Sequence, residues 1–345
     1  ALMSRRVLYG VLNWGLGHAS RSSVVIRALE AAGFDPILAS DGVAGEWLQE
    51  EFPHLDYREL PSYEVRYSKS SRQWPSLVSG LPRIAKAASA ERRILRLWAD
   101  DLKPAGIISD NRLGFSHPDY PSAYISHQLS PKAGSFTRFA ATSHRSYYRQ
   151  FSELWIPDDK DRSLSGSLST GRGKKRFIGP LSTLERRPTE GERVLIILSG
   201  PEPQRSILER RLFEQADALP DSTVLVRGIN GACPDRYHQK FMVYDRLGRM
   251  DLSALIAQSS LVISRSGYSS LMDYHYLGKR ALLVPTPGQS EQEYLAKRHA
   301  KRKGYMAVKQ DDLLLSTQLE QALAMPFPEP QDFSLPEDLF RIFSA

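Results

Sequence analysis

Residues 261–295 read LVISRSGYSSLMDYHYLGKRALLVPTPGQSEQEYL. Leu261, Val262 and Ile263 are a short apolar run that predicts a buried strand, and Ser264-Arg265-Ser266-Gly267 turns the chain. A helix is expected over 269–277, a second strand over 281–284, a loop over 285–288 and a second helix over 289–303. Strand, glycine turn, helix, strand is a βαβ unit, whose parallel strands lie buried under crossover helices. Gly267 lets the backbone approach a ligand, and the amides of Ser269 and Ser270 point out of the new helix end. Such an end carries partial positive charge and N–H donors outside the helical pattern, which suits a phosphate or diphosphate. Asp273 follows one turn on, where a carboxylate can hold two vicinal hydroxyls. The plain alternative is a serine cap with no ligand at all.

The order RSGxxSxxD, then a strand ending in VP, then a loop with Gln289, Glu291 and Gln292, resembles the donor-binding stretch of GT-B glycosyltransferases. It is most similar to the branch holding the UDP-glucuronosyltransferases and the N-acetylglucosaminyltransferase of bacterial lipid II synthesis. The resemblance implies that Ser266, Gly267, Ser269 and Ser270 hold the diphosphate of a nucleotide sugar, a UDP-sugar before others. It places Asp273 at the ribose, with Gln289 and Gln292 on the donor sugar. The lipid II enzyme has Glu where this chain has Asp273, which keeps the charge and shortens the reach, so base and sugar preference can differ.

The N-terminus opens with the same kind of turn. A strand over 7–13 leads into Trp14-Gly15-Leu16-Gly17-His18 and a helix over 19–32, closed by Gly33. GLG is not the full GxGxxG fingerprint, so NAD is not expected. The loop puts His18 at a helix N-terminus on the carboxyl edge of the first strand, where α/β sheets bind ligands. It resembles the family's N-terminal loop, whose histidine is a proposed general base. Gly15, Gly17 and Arg21 then stand on the acceptor side. A strand over 105–109 ends in Asp110-Asn111, and one over 122–126 ends in His127-Gln128. In the plant and animal UDP-sugar transferases an Asp after a mid-domain strand orients the catalytic His, and Asp110 occupies a similar place. His127-Gln128 resembles the His-Glu-Gln acceptor loop of the lipid II enzyme without its Glu, and His127 remains a competing base. Each of these pairs also reads as an ordinary strand-end cap.

In the second half, a strand over 193–198 runs into Ser199-Gly200-Pro201, a second glycine loop before a helix. The resemblance puts Ser199 and Gly200 beside the diphosphate and sugar. Arg227, just after a strand over 223–226, is read as reaching a phosphate. Met250 sits where the family's backbone reads the base. A last helix is expected over 311–324, and 335–343 is expected to return to the first domain. Residues 61–82 are polar, aromatic and broken by prolines, which predicts a long loop over the site. Basic helices are expected over 84–102, with Arg92, Arg93 and Arg96, and over 132–151.

At roughly 150 residues per domain, 345 residues suggest two domains. The boundaries read as 1–181, 182–325 and a tail over 326–345. Composition is globular, with 41% hydrophobic and 25% charged residues. No apolar run reaches the ~18 residues of a membrane span, and the start lacks a signal-peptide pattern. Ala1-Leu2 ahead of Met3 reads as a cloning remnant. A single cysteine, Cys233, excludes an internal disulfide and any cysteine-based metal cluster, and fits a reducing cytoplasm. Residues 1–180 hold 25 Lys+Arg against 18 Asp+Glu, so the whole net charge of +7 lies there. A basic, aromatic half attracts an anionic or lipid-linked acceptor, an anionic membrane surface or nucleic acid, or is simply a solvated face. Asp158-Asp159-Lys160 and Asp311-Asp312 are not the DxD of metal-dependent transferases with one Rossmann domain, and no GxSxG, Walker or CxxC motif occurs.

The resulting expectation is an α/β protein of two Rossmann-like domains facing across a cleft, donor in the second and acceptor in the first. It would transfer a sugar from a nucleotide sugar to a hydroxyl, with inversion and without metal or cofactor, using His18 aided by Asp110. It would be cytoplasmic, in peripheral contact with the inner face of the membrane. The alternatives are a nucleotide-sugar 2-epimerase of the same fold and a basic binding or regulatory protein. Against nucleic acid as a partner stands the neutral charge of the half that carries the main motif.

Overall fold

The computed structural model describes residues 5–63, 74–130, 145–188, 191–229, 231 and 233–344, and over 74–83 the backbone alone. These residues divide into two compact units, one of 5–63, 74–183 and 333–344, the other of 184–332.

The first unit contains β1 (Arg6–Val11), α1 (Leu16–Ala31), β2 (Asp35–Ser40), α2 (Gly42–Glu51), β3 (Tyr57–Glu59), α3 (Trp74–Leu102), β4 (Gly106–Asp110), β5 (Ser122–Ile125), β6 (Glu153–Ile156) and β7 (Lys175–Phe177). Its strands pair in parallel in the order β3-β2-β1-β4-β5-β6-β7. β4, β5 and β6 are buried along their whole length, and β1 from its second residue. That burial is why each carries consecutive apolar residues, such as Ile107-Ile108 and Leu154-Trp155-Ile156, rather than an alternating pattern. The strand order reverses between β1 and β4, and in such sheets the crevice for a ligand opens at the reversal. Phe340 and Phe343 of the C-terminal segment close this unit from below. Phe340 lies edge-on to Phe34 and Trp155, at 6.3 and 6.0 Å, and Phe343 fills the space that Gly106 leaves by lacking a side chain. Burying each ring contributes roughly 1.5–3 kcal/mol.

The second unit contains β8 (Arg193–Ile197), α4 (Gln204–Glu214), β9 (Val224–Val226), α5 (Asp235–His238), β10 (Met242–Tyr244), α6 (Arg249–Ala257), β11 (Ser259–Ser264), α7 (Tyr268–Leu277), β12 (Ala281–Leu283), α8 (Ser290–His299), β13 (Tyr305–Ala307) and α9 (Leu315–Ala324). Its sheet is also parallel, in the order β10-β9-β8-β11-β12-β13, and reverses between β8 and β11. Leu195, Val224 and Ile256 pack on one side of it, and Ile196, Ile263 and Leu282 on the other. α7 ends at Gly278 in the left-handed region, φ 66°, where a Cβ would strike Pro330 and the Pro328 carbonyl. A glycine is the ordinary residue for that helix end.

Three elements differ from the sequence reading. The loop expected over 61–82 gives way to helix from Trp74 onward. Pro75 stands in the first turn, where a missing N–H is no loss, so the prolines misdirect the reading. The helix expected over 311–324 begins only at Leu315, because Gln318 Oε1 caps the Leu314 N–H at 2.8 Å. Helix α8 stops at His299 rather than 303. Residues 64–73 and 131–144 lie outside the described residues, so the basic helix expected over 132–151 is described only from 145.

Candidate active site

At the carboxyl edge of the first sheet, Val11, Asp110 and Ile125 stand in one register row. Leu12 N donates to Asp110 O at 3.0 Å, holding β1 and β4 together to their ends. Gly15, φ 74°, starts α1, and a Cβ on it would meet nothing within 4 Å. The helix begins at Leu16, so Gly17 and His18 lie in its first turn rather than in a loop. His18, Arg21 and Ser22 then share a helix face, at spacings of three and four.

All three converge on Asp110, which is fully buried. Its Oδ2 accepts from Arg21 Nε and from Ser22 Oγ, each at 2.8 Å. Its Oδ1 is 2.8 Å from His18 Nδ1 and accepts from Arg21 Nη2. Burial alone pushes this carboxyl up, but the charge of Arg21 and the hydrogen bonds from Arg21 and His18 reverse that and hold it far below the usual range. The His18 imidazole is held below its ordinary value, by burial first and Arg21 second, while Asp110 pulls the other way. Its place in the first turn of a helix disfavours the cation further. His127 follows β5, buried, with Nδ1 3.2 Å from Arg21 Nη1. Gln128 donates its backbone N–H to Ser126 Oγ at 3.1 Å.

Arg21 therefore departs from the sequence reading. It is 2% exposed and committed to Asp110 and His127, so it braces the site from within rather than lining it for an acceptor. Its partner lies 89 residues away, which no local pattern reveals. Beneath it is a second buried cluster that the sequence did not indicate. Arg112 donates to Val11 O at 3.1 Å, Pro61 O at 2.7 Å, Asp41 at 2.6 Å and Glu91, tying β1, α2 and α3 to the turn after Asp110.

In the second unit, the turns after β8 and β11 flank the strand reversal. Ser199 and Gly200 are exposed, and Gly200 has φ 97°. A Cβ on Gly267 would meet nothing within 4 Å, and one on Gly200 only Thr286 Oγ1 at 3.5 Å. Both glycines face open space. The first helical bond of α7 runs from Leu271 N to Gly267 O at 3.0 Å, so the Ser269 and Ser270 amides precede it. The N-cap residue, Gly267, has no side chain to cap this end. Asp273 is half-buried one turn further on. Ser266 Oγ donates to Gln292 O at 2.8 Å, and Gln292 Oε1 accepts from Thr286 N at 2.9 Å. The side-chain oxygen of Gln292 is thus occupied by the Thr286 amide. Gln289 is the N-cap position of α8. Met250 is exposed at the start of α6.

Arg227 is a correction. It does not reach toward a phosphate. Its Nε donates to Glu209 at 2.6 Å and its Nη1 to Asp245 and Gly231 O, each at 3.1 Å, so its charge is already compensated. Arg265, which sequence spacing treats as a turn residue, is a buried brace. It donates to Val284 O at 3.1 Å, Pro285 O at 3.2 Å, Gln204 O at 2.7 Å and Gln310 Oε1 at 2.7 Å. Burial pulls its pKa down to about 10. It fixes the ends of β11 and β12 to the start of α4. Among the described residues no group of three or more His, Cys, Asp or Glu is placed to hold a metal ion, and no helix is long and apolar enough to cross a membrane.

Comparison with known proteins agrees with this architecture. The glycosyltransferase of kitacinnamycin superposes with a TM-score of 0.66 over 93% of this chain and 91% of that one, at 15% identity. The glycosyltransferase VinC, solved in complex with dTDP, gives 0.61 over 92% and 91%, at 14% identity. Residues 235–336 match the glycosyltransferase family 28 C-terminal domain. The chain has the GT-B fold, and its residues 235–336 carry a glycosyltransferase family 28 C-terminal domain. An uncharacterised glycosyltransferase of Methanopyrus kandleri is 23% identical over 347 residues, covering 88% of this chain and 93% of the relative. A Rhodopseudomonas palustris protein is 30% identical over 152 residues, 40% of this chain and 41% of its own. That protein is the UDP-N-acetylglucosamine–N-acetylmuramyl-(pentapeptide) pyrophosphoryl-undecaprenol N-acetylglucosamine transferase. The family 28 match takes in α7 and the start of α8 with Gln289 and Gln292 but none of the His18 site.

Proposed function

We propose that this glycosyltransferase moves a sugar from a nucleotide sugar to a hydroxyl acceptor in one displacement that inverts the anomeric carbon. The observation that carries this reading is the His18–Asp110 pair, an imidazole held neutral against a buried, ionised carboxylate at 2.8 Å. The acceptor oxygen forms a bond to the anomeric carbon as the bond from that carbon to the diphosphate breaks. The hydroxyl proton passes to His18, and the electron pair leaves with the diphosphate. General base catalysis of this kind typically contributes about 10²–10⁴-fold. Asp110 favours the imidazolium as the proton arrives. The charge growing on the diphosphate is assigned to the Ser269 and Ser270 amides at the start of α7 rather than to a metal ion.

Ser199, Gly200, Ser266 and Gly267 complete the diphosphate pocket in this reading, with Asp273 on the ribose and the Gln292 amide on the sugar. The dTDP in VinC and the UDP-linked donor in the name of the Rhodopseudomonas relative support a nucleoside diphosphate ligand. The lipid-linked acceptor in that name, with the net charge of +7 carried by residues 1–180, supports an anionic or lipid-linked acceptor met at an anionic membrane surface. Calorimetric titration with UDP and with dTDP tests the donor half. Saturable binding of one of them supports the reading, and no heat with either, alongside no thermal stabilisation, overturns it.

A further inference from the structure

One arginine touches both His18 and His127, and its contacts decide which ring has a basic nitrogen to offer. Arg21 has donors only, and an ionised Asp110 has acceptors only. Asp110 Oδ2 takes Arg21 Nε and Ser22 Oγ, and its Oδ1 takes Arg21 Nη2 and lies 2.8 Å from His18 Nδ1. A carboxylate offers about four lone-pair sites. The fourth is filled only if His18 Nδ1 carries its hydrogen. With a lone pair there instead, two acceptors would face each other at 2.8 Å. Arg21 Nη2 also lies 2.9 Å from His18 Nδ1. That approach follows from both groups sharing Oδ1, and an N–H prefers the anion. His18 therefore keeps its lone pair on Nε2. On the other side, Arg21 Nη1 lies 3.2 Å from His127 Nδ1. This is a hydrogen bond only if His127 Nδ1 accepts, which puts the hydrogen of the neutral ring on Nε2.

We propose that Arg21 is a positioning residue that locks His18 and His127 in opposite tautomers, so that His18 Nε2 takes the acceptor proton while His127 Nε2 donates a hydrogen bond. The part about the acceptor proton rests on the transfer reading above; the tautomers do not. Among the described residues, the charged and titratable groups around His18 are Arg21 on its own helix, Asp110 from β4 and His127 from the turn after β5. Tyr9 of β1 and Tyr124 of β5 border Asp110. Burial, then the Asp110 charge, raises both phenols above their ordinary range, so neither adds a charge near neutral pH. Without Arg21, Asp110 would act on His18 alone and hold its proton more tightly.

Ring-nitrogen NMR of the full chain with isotope-labelled histidine reads the tautomers directly, with His18→Gln and His127→Gln assigning the signals. Above the imidazole titrations, His18 is expected to be protonated at Nδ1 and bare at Nε2, and His127 the reverse. In Arg21→Gln, His127 is expected to relax to a mixture and His18 to titrate at higher pH than in the wild type. Both rings in the same tautomer, or a bare Nε2 on His127, would overturn the proposal from wild-type spectra alone, whether or not Arg21→Gln folds. Unchanged tautomers and titration in folded Arg21→Gln would remove Arg21 from the account, since a merely structural arginine moves neither. The measurement needs no donor or acceptor. If the tautomers hold while His18→Ala keeps full turnover, the transfer reading fails and the lock stands.

Discussion

Asp110→Asn is the sharpest structural perturbation of the first site. Asparagine keeps the shape and removes the charge, so Arg21, 2% exposed, is left as a buried cation without its anion. Breaking one side of a buried pair typically costs about 3–5 kcal/mol. For a unit of this size each kcal/mol lowers the melting temperature by about 2–4 °C, so a drop of about 6–20 °C is expected. Arg21→Met leaves Asp110 equally stranded and is expected to cost a similar amount. The double variant removes both charges together, so its loss should fall short of the sum of the single losses by at least ~2 kcal/mol. All five tryptophans lie in the first unit, at positions 14, 47, 74, 98 and 155. Intrinsic fluorescence in a urea titration therefore follows that unit alone. Single variants that each cost under ~1 kcal/mol and add without coupling would refute the reading of Asp110 and Arg21 as one buried, mutually dependent pair.

The pH profile of kcat/KM should keep activity on the acid side below pH ~6.5, the ordinary imidazole value, because His18 is held neutral; an acid limb above that value contradicts it. Asp273→Ala should weaken nucleoside diphosphate binding by about 1.5–3 kcal/mol, the range for hydrogen bonds to a charged group, and unchanged affinity in calorimetry removes it from the ribose. His275 is buried against His299 and Tyr305, with its pKa lowered to about 2 by burial and then by His299. Below pH ~6.5 the unfolded chain takes up this proton and the folded one does not. Stability should therefore fall with pH at up to ~1.4 kcal/mol per unit for this residue, and urea midpoints followed by circular dichroism that stay flat from pH 7 to 5 would count against it. The protein should sediment with anionic liposomes and not neutral ones, less so as salt rises; equal binding to both contradicts the membrane assignment.

The two parallel sheets were legible because burial writes itself into the chain locally. Runs such as VLII in β8 and LVI in β11 are apolar at every position, and a glycine turn follows each. Asp110 ends β4 and His18 lies in the first turn of the helix after β1, and their pairing came from the family resemblance. What the arginines touch was not legible. The bonds from Arg21 to Asp110 and from Arg265 to Gln310 span 89 and 45 residues, and an arginine beside a glycine turn reads as a ligand for an anion until its partners are known. Arg227 misled for that reason. Trp74–Leu102 was shortened in the reading because Pro75 looks like a break and is a helix start. Arg112 and Glu91, now the buried frame beneath the site, carry no sequence mark that sets them apart from surface charges.

The central claim is that His18 takes the acceptor proton during sugar transfer. Its most direct test is nucleoside diphosphate release from the donor identified by calorimetry, measured for wild type, His18→Ala and His127→Ala with one acceptor preparation. The account predicts that His18→Ala loses about two to four decades of kcat while binding the donor like wild type. His127→Ala should lose less, as a donor of one hydrogen bond. Full turnover by His18→Ala, with the loss falling on His127→Ala instead, would contradict it.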